Sequence, residues 1–236
     1  MDDKIKALSQ KERYTFDDLT DIMQILRSEG GCPWDREQTH LSIRENLIEE
    51  AYEVIEGIDN DDKELIKEEL GDVLFQIMFH SRIEEEQGNF TVADVIDGVS
   101  RKMVHRHPHI FADRHLDTTS QVLDAWDKIK AEEKSRISLT DKLRSIPRQF
   151  PAIIRAQKVV EKGIKAGEIT TTATEALDTA ADLIAALQAE DSAPDEAVLG
   201  ELLYAVALYA ERMDLRGERA LTYRIDRLID DLDNSR

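Results

Sequence analysis

Apolar side chains recur every three or four positions through most of the first half of this 236-residue chain. This spacing predicts helices over residues 15–28, 43–58, 63–87 and 92–105, and the acidic run DNDD at 59–62 predicts the turn between the second and third. No segment alternates apolar and polar positions as a half-buried strand does. Long helices with short connections become antiparallel neighbours, so the pattern predicts an all-α helical bundle.

Two pairs of carboxylates stand on the two longest predicted helices. Glu50 and Glu53 belong to NLIEEAYEVIEG, and Glu69 and Asp72 belong to EELGDVLFQIMF. A step of three residues turns a helix by about 300°, so both members of a pair project from one face. Two such helices packed face to face would bring four carboxylates together. Asp72 carries the one charge within residues 70–79, so we expect it to be buried unless a cation neutralises it.

Four acidic ligands without paired His or Cys favour Mg²⁺, or Mn²⁺ as a substitute, over zinc. Magnesium also takes substrate phosphate oxygens as ligands, which relates such a site to phosphate chemistry. The competing interpretation is a solvated helix face, because 50 of the 236 residues are acidic. Glu50 and Glu53 by themselves fit either interpretation, whereas Asp72 favours the metal site.

The overall charge limits the partners of this chain. Only 31 residues are Lys or Arg and the net charge is −19, which argues against a broad nucleic-acid surface. The apolar stretches fall short of the roughly 20 residues that a membrane span needs, so we expect no membrane partner. The start, MDDKIKALSQ, does not resemble a secretory signal, and a single cysteine, Cys32, fits a reducing compartment. We therefore predict a cytoplasmic protein.

A cationic segment interrupts this acidic chain at residues 101–115, RKMVHRHPHIFADRH. It holds four Lys or Arg, four of the six histidines and one acidic residue. Two interpretations stay open and are compatible. The cations can complement the dipole of a helix that ends before Pro108, or they can bind a small anion. Lys102 and Arg106 lie one helical turn apart on a single face, and the fork of an arginine suits phosphate.

The C-terminal part of the chain repeats the pattern of the first half. With a shift of 129 positions, residues 49–82 align with residues 178–211 without a gap, and LGDVLFQIMFHSR falls on LGELLYAVALYAE. The four carboxylate positions become Thr179, Asp182, Val198 and Glu201, so two of the four ligands are missing. We interpret residues 152–236 as a degenerate helical copy that serves packing or dimerisation.

The domain organisation follows from this repeat. Residues 1–140 form the predicted catalytic domain, because this part keeps all four carboxylates. Residues 141–151 are interpreted as a linker, since prolines punctuate the run that leads into the next helix. Earlier in the chain, residues 29–39, EGGCPWDREQT, are predicted to form a loop for the same reason.

The first half resembles the MazG family of nucleoside triphosphate pyrophosphohydrolases. EEAYE, fifteen residues and then ELGD match that family's EExxE and ExxD signature, and GCPWDREQTH, KMVHRHPHIFAD and WDKIKAEEK resemble its other characteristic segments. The resemblance covers about residues 14–136 strongly and the rest weakly. It implies a homodimeric all-α enzyme that uses magnesium to convert a nucleoside triphosphate to the monophosphate and pyrophosphate.

Carried over by motif, the implied metal ligands are Glu50, Glu53, Glu69 and Asp72. A cation held by these carboxylates can bridge phosphate oxygens and orient the attacking water, so Glu53 and Glu69 are also candidate catalytic residues. Glu49, next to the ligands, is a further catalytic candidate that would position or deprotonate the water. It fits an ordinary surface glutamate equally well.

The resemblance also implies a nucleotide-binding set. Lys102 and Arg106 would hold the triphosphate together with Lys130, while Trp126 would stack on a base or close over the nucleotide. A tryptophan at that position can also just anchor a terminal helix to the bundle. Trp34, in the predicted loop, has the same two interpretations.

Two other classes compete with this enzyme. A ferritin-like bundle would carry Glu-x-x-His pairs, but the third residues after Glu50 and Glu69 are Glu53 and Asp72, which disfavours it. A non-catalytic regulatory nucleotide-binding protein would retain the carboxylates only as relics. The intact first set beside an incomplete second one argues against relics, so we expect any activity to lie in the first domain.

Overall fold

The structure is a computed structural model that describes residues 2–112, 116–133, 138–188 and 195–235, apart from the side chains of residues 2, 127 and 130–133. The described residues form thirteen helices and no strand, which confirms the predicted all-α class. They fall into two compact units, Met1–Lys130 and Ala131–Arg236, which we call the N-terminal and the C-terminal unit. The assignment of catalysis to the first predicted domain, and of packing or dimerisation to the second, stays a prediction.

The helices of the N-terminal unit include the four that the hydrophobic pattern predicts. In chain order they are α1 (Asp2–Ser9), α2 (Phe16–Leu26), α3 (Pro33–Glu37), α4 (His40–Asp59), α5 (Lys63–Glu86), α6 (Val92–Arg106), α7 (Pro108–Phe111) and α8 (Thr119–Glu133), which runs past the boundary of the unit. The predicted loop at 29–39 is wrong in part, because Pro33 at the first position of α3 starts a short helix there.

Three threonines fix where the main helices begin. Each one accepts a hydrogen bond from the backbone N–H three residues later, and the side chain at that later position bonds back to the threonine's own N–H. Such reciprocal caps satisfy donors that the first turn of a helix leaves free. They are Thr15 before α2, Thr39 before α4 and Thr91 before α6.

Helices α4 and α5 form the hairpin that carries all four predicted ligands. Asp61 adopts a positive φ of 52° in the turn, and Asp62 caps α5 with its side chain. Gly57 lies so close to Ile66 that a Cβ there would stand 3.0 Å from the backbone nitrogen of Ile66. The glycine therefore allows a close approach of the two helices next to their turn.

The core of this unit holds the hairpin against its neighbours. Met23 of α2 packs with Ile43 of α4 and with Met78, Phe79 and Ile83 of α5, and each of these side chains is buried. The rings of Phe75 and Phe79 meet edge to face, 5.8 Å apart. The apolar stripe of α5 thus fixes which of its faces remains available for the carboxylates.

Arg27, just after α2, connects three segments of this unit. Its Nε and Nη2 donate to both carboxylate oxygens of Glu86 at 3.0 and 2.8 Å, and its Nη1 donates to the backbone oxygens of Asp35 and Gln38. The guanidinium also lies 5.2 Å from the centre of the Phe79 ring. Its side chain is 6% exposed, so α2, the segment around α3 and the end of α5 meet at one buried cation.

A row of hydrogen-bonded side chains ties the open end of the hairpin. Nδ1 of His40 lies 2.7 Å from Nδ1 of His80, and the two rings stack almost in parallel. Nε2 of His40 lies 2.7 Å from Glu84, which also accepts from Asn89 at 2.6 Å. Burial and the neighbouring His40 lower the pKa of His80.

The described residues of the C-terminal unit form five helices. They are α9 (Leu139–Arg144), α10 (Ala152–Lys165), α11 (Ala173–Gln188), α12 (Glu196–Arg212) and α13 (Gly217–Asp233). Val160, Ala176 and Leu208 form its buried core. Gln157 of α10 donates to the backbone oxygen of Leu215 at 2.8 Å and accepts from the N–H of Gly217 at 3.0 Å, which ties the turn before α13 to α10.

Within the described residues, none of the helices is both long enough and apolar enough to cross a membrane.

Candidate metal centre

The hairpin brings the predicted carboxylates together. Glu50 of α4 and Glu69 and Asp72 of α5 each offer one carboxylate oxygen, and these oxygens all lie within 4.8 Å of one another. Glu53 acts on the same group, because its charge and its side-chain hydrogen bonds affect both Glu50 and Glu69. We call these four residues the carboxylate cluster.

The cluster holds more negative charge than its surroundings favour. Burial, followed by the charge of Glu53, raises the pKa of Glu69 to about 7. Burial and then the charge of Asp72 raise the pKa of Glu50 as well. Neighbouring carboxylates disfavour each other's ionised forms, so such a group takes up either protons or a cation.

The expectation that Asp72 is buried is wrong. Asp72 is exposed, and Glu69, which is 8% exposed, is the buried member of the cluster. The reason is geometric: the two residues stand about 60° apart around α5, so only one of them can point fully towards α4. The argument that a buried carboxylate needs a neutralising cation therefore applies to Glu69 rather than to Asp72.

Glu49, the candidate for handling the attacking water, is exposed on α4 beside the cluster. Its negative charge makes a small contribution to the raised pKa of Glu50. This position is compatible with the surface interpretation and with a role at the solvent side of the cluster.

The predicted nucleotide-binding residues lie on other helices. Lys102 is exposed on α6, and Arg106 is half-buried in the last turn of the same helix. Helix α6 packs against α5, the helix that carries Glu69 and Asp72. Lys102 makes no ion pair with any described residue, so its ammonium group is available to an anion.

Trp126 lies half-buried in α8 and packs against His107, with the ring centres 5.9 Å apart. His107 itself lies 2.6 Å from the backbone oxygen of Met103 through its Nδ1. The sequence did not single out His107, although the unusual density of histidines in the cationic segment marked its surroundings. The side chain of Lys130 lies outside the described residues, as do residues 113–115 of the cationic segment.

Trp34 in α3 is 59% exposed, and its backbone oxygen accepts a hydrogen bond from Gln38. Its ring therefore lies largely exposed on a short helix.

The C-terminal unit has no comparable cluster among residues 138–188 and 195–235. The positions that align with the four carboxylates are Thr179, Asp182, Val198 and Glu201. Threonine and valine at two of them remove the charge that would attract a cation.

Taken together, these observations define an all-α protein whose helical hairpin carries a cluster of acidic oxygen ligands suited to a hard divalent cation. Comparison with known proteins agrees with this class. Residues 38–111 match the sequence profile of the MazG nucleotide pyrophosphohydrolase domain, and this segment contains the whole carboxylate cluster with Lys102 and Arg106.

Similar proteins occur in several bacteria. The nucleoside triphosphate pyrophosphohydrolase of Escherichia coli (strain K12) is 38% identical over 213 residues, which cover 87% of this chain and 81% of that protein. The nucleoside triphosphate pyrophosphohydrolase/pyrophosphatase MazG of Thermotoga maritima is 43% identical over 152 residues, 64% of this chain and 58% of that protein. A nucleoside triphosphate pyrophosphohydrolase of Mycobacterium tuberculosis is 40% identical over 152 residues, 64% of this chain and 45% of that protein.

The chain belongs to the MazG family of nucleotide pyrophosphohydrolases. The family and the class of enzyme predicted from the sequence motifs are thereby confirmed.

Proposed function

We propose that this protein hydrolyses nucleoside triphosphates, ribo- or deoxyribo- and including noncanonical ones, to the monophosphate and pyrophosphate, with Mg²⁺ at the carboxylate cluster. The observation that carries the proposal is the convergence of Glu50, Glu69 and Asp72 within 4.8 Å, inside the segment that matches the family profile. The names of the relatives from E. coli and T. maritima support the same reaction.

The residues of the cluster fit a magnesium ion. They are carboxylates, and no histidine or cysteine belongs to the group. Burial and then the neighbouring carboxylates raise the pKa of Glu69, and a cation would offset both effects. Mn²⁺ shares these ligand preferences and is the expected substitute. When bound, the ion supplies a positive charge that polarises phosphate oxygens and lowers the pKa of a coordinated water.

The reaction adds water to the α-phosphorus and breaks the bond from that phosphorus to the oxygen that bridges to the β-phosphorus. Pyrophosphate leaves with the electron pair of this bond, and the attacking water gives up a proton. Glu49 is our candidate to accept that proton, because it is exposed beside Glu50 on the same helix.

The remaining binding residues would recognise the rest of the nucleotide. Lys102 and Arg106 stand on one face of α6 and would donate to the phosphates, together with Lys130. Trp126 would lie against the base. Its indole already packs on the ring of His107, so its orientation is fixed before a ligand arrives.

We further propose that two copies of the chain form a homodimer, acting in the cytoplasm. Ile48, Tyr52 and Ile55 repeat at intervals of four and three residues along α4, and each is about half exposed. An apolar stripe of this kind on a long helix is suited to pack on a second copy. Replacing Ile55 by Glu should yield monomers in analytical ultracentrifugation, while the exposed Glu56→Gln on the same helix should not.

The decisive experiment incubates the purified chain with a panel of ribo- and deoxynucleoside triphosphates in water enriched in ¹⁸O, with Mg²⁺ or with a chelator. Mass spectrometry then locates the new oxygen. We expect magnesium-dependent turnover with ¹⁸O in the monophosphate, which marks attack at the α-phosphorus. Glu53→Gln and Asp72→Asn should abolish it, and Glu201→Gln, at the aligned position of the C-terminal unit, should not.

Other outcomes would contradict the proposal. Release of orthophosphate and a diphosphate, or ¹⁸O in the pyrophosphate, would place the attack at another phosphorus. Binding of nucleotides without any turnover would favour the alternative of a regulatory nucleotide-binding protein.

A further inference from the structure

A cleft in the C-terminal unit combines cationic and aromatic side chains. It has a volume of about 320 Å³ and lies where the segment before α10 and the first turns of α10 approach α12. Its lining includes two arginines, two aromatic residues and two alanines, namely Arg148, Arg155, Phe150, Tyr204, Ala152 and Ala156. We call it the basic cleft.

The cleft lies in the most basic part of an acidic chain. Residues 142–165 carry seven Lys or Arg and one acidic residue, whereas the chain as a whole has a net charge of −19. Lys158 adds a third cation at the edge, with its Nζ 6.0 Å from the centre of the Phe150 ring. A positive potential confined to one cleft raises the local concentration of small anions there.

The two arginines of the cleft have no partner among the described residues. Neither guanidinium makes an ion pair or a hydrogen bond with them. The Nε of Arg155 is also shielded from water, so this donor is desolvated without an acceptor. The donors of the two guanidinium groups that face the cleft are the ones that an anion would engage.

Backbone geometry adds to the attraction for an anion. Pro151 precedes α10, and no side chain caps the first turn of this fourteen-residue helix. The positive end of the helix dipole therefore faces the region of Ala152 and Arg155, which line the cleft. Guanidinium groups next to a free helix N-terminus form a setting that phosphate prefers.

We propose that the basic cleft binds a small aromatic phosphate of the size of a nucleoside monophosphate. The phosphate would accept hydrogen bonds from Arg148 and Arg155, and the rings of Phe150 and Tyr204 would contact the planar part. The volume lies at the lower end of the range for small-molecule sites, which fits one mononucleotide. This site is separate in sequence from the carboxylate cluster, and the contacts proposed for it need no metal.

The test measures binding of adenosine monophosphate to the full-length chain by isothermal titration calorimetry in the presence of a chelator, so that the carboxylate cluster holds no metal. We expect one site per chain and at least about tenfold weaker binding for Arg148→Gln and for Arg155→Gln, since each removes hydrogen bonds from a charged donor. Arg144→Gln removes the same charge from the same segment without touching the cleft and should bind like the wild type.

Two further titrations define the ligand class. Adenosine without a phosphate and inorganic phosphate without a base should both bind at least about tenfold more weakly than the monophosphate. Equal binding of inorganic phosphate would refute the role of the aromatic rings.

The site itself is refuted if the monophosphate does not bind. It is also refuted if Arg148→Gln and Arg155→Gln bind as tightly as the wild type, or if Lys102→Gln, a change in the proposed phosphate-binding set of the N-terminal unit, abolishes the binding. Arg148 is exposed, so its replacement does not threaten folding, and circular dichroism checks the half-buried Arg155. Loss of catalysis in the hydrolysis experiment would leave this result unaffected.

Discussion

Removal of the Arg27 guanidinium should destabilise the N-terminal unit strongly. This group makes four hydrogen bonds, two to Glu86 and one each to the backbone oxygens of Asp35 and Gln38, and it lies over the Phe79 ring. Breaking a buried charge pair costs roughly 3–5 kcal/mol. Glu86 keeps a second partner and is 29% exposed, so we expect a cost near the lower limit, about 3 kcal/mol, for Arg27→Ala.

A more conservative change separates charge from geometry. Arg27→Lys keeps the positive charge but cannot bond Glu86 and both backbone oxygens at once, so we expect about half of that cost. Arg44 provides the matched control, because it contacts its neighbour Glu45 at 3.4 Å with both side chains largely exposed. Its replacement by Ala should change the free energy of unfolding by less than about 0.5 kcal/mol.

Urea unfolding followed by tryptophan fluorescence measures these changes. Both tryptophans, Trp34 and Trp126, lie in the N-terminal unit, so their emission reports on that unit rather than on the other. If Arg27→Ala lowers the free energy of unfolding by less than about 1 kcal/mol, the pair behaves like a surface salt bridge and the reasoning from burial is refuted.

Three further outcomes follow from the same structure. In metal-free protein the pKa of Glu69 is about 7, against the ordinary value of 4.5, so the folded state holds this proton more tightly than the unfolded chain does. Protonated Glu69 therefore supports folding fully below pH 4.5, and this stability is lost as the pH rises towards 7. Glu69→Gln should therefore gain stability relative to the wild type over that range in urea titrations at several pH values, and a constant difference would contradict the assignment. The pKa of His80 is lowered, so the effect of pH has the opposite direction: its contribution to the free energy of unfolding is present above pH 6.5 and is lost at lower pH. The melting temperature should therefore fall on acidification, and it should fall less in His80→Gln. Phe79→Ala removes a ring that is 1% exposed and should lower the free energy of unfolding by about 3–5 kcal/mol in the same assay. A loss below about 1 kcal/mol would show that neighbouring side chains move in to fill the space.

The hydrophobic pattern was sufficient to predict the helices of the hairpin, but not where they begin. Helix α4 starts three residues before its predicted start, because Thr39 and Ser42 form a reciprocal cap that precedes the first apolar residue of the stripe. The turn at residues 59–62 was predicted closely, since a run of acidic residues and Asn interrupts both stripes. Local chemistry of this kind can be read from neighbouring residues.

Contacts between distant residues could not be predicted in this way. Arg27 and Glu86 are 59 positions apart, and His40 and His80 are 40 apart, so their pairing depends on how α2 and α4 are aligned along α5. The same dependence explains the error at Asp72. A spacing of three residues places two carboxylates near one face, but the rotation of the helix decides which of them is buried.

The close approach at Gly57 bears on the size of the ion that we propose for the carboxylate cluster. It lies one turn from Glu53, and its contact Ile66 lies three residues before Glu69, so the separation of the helices is set by backbone contact next to the ligands. Mg²⁺ binds oxygen at about 2.0–2.1 Å, whereas Ca²⁺ needs about 2.3–2.6 Å and more ligands. To admit the larger ion, the ligands would have to separate against helices that are already in contact across the turn. If the carboxylate cluster binds a cation as proposed, the absence of a side chain at Gly57 would make the hairpin favour the smaller ion before any substrate has entered.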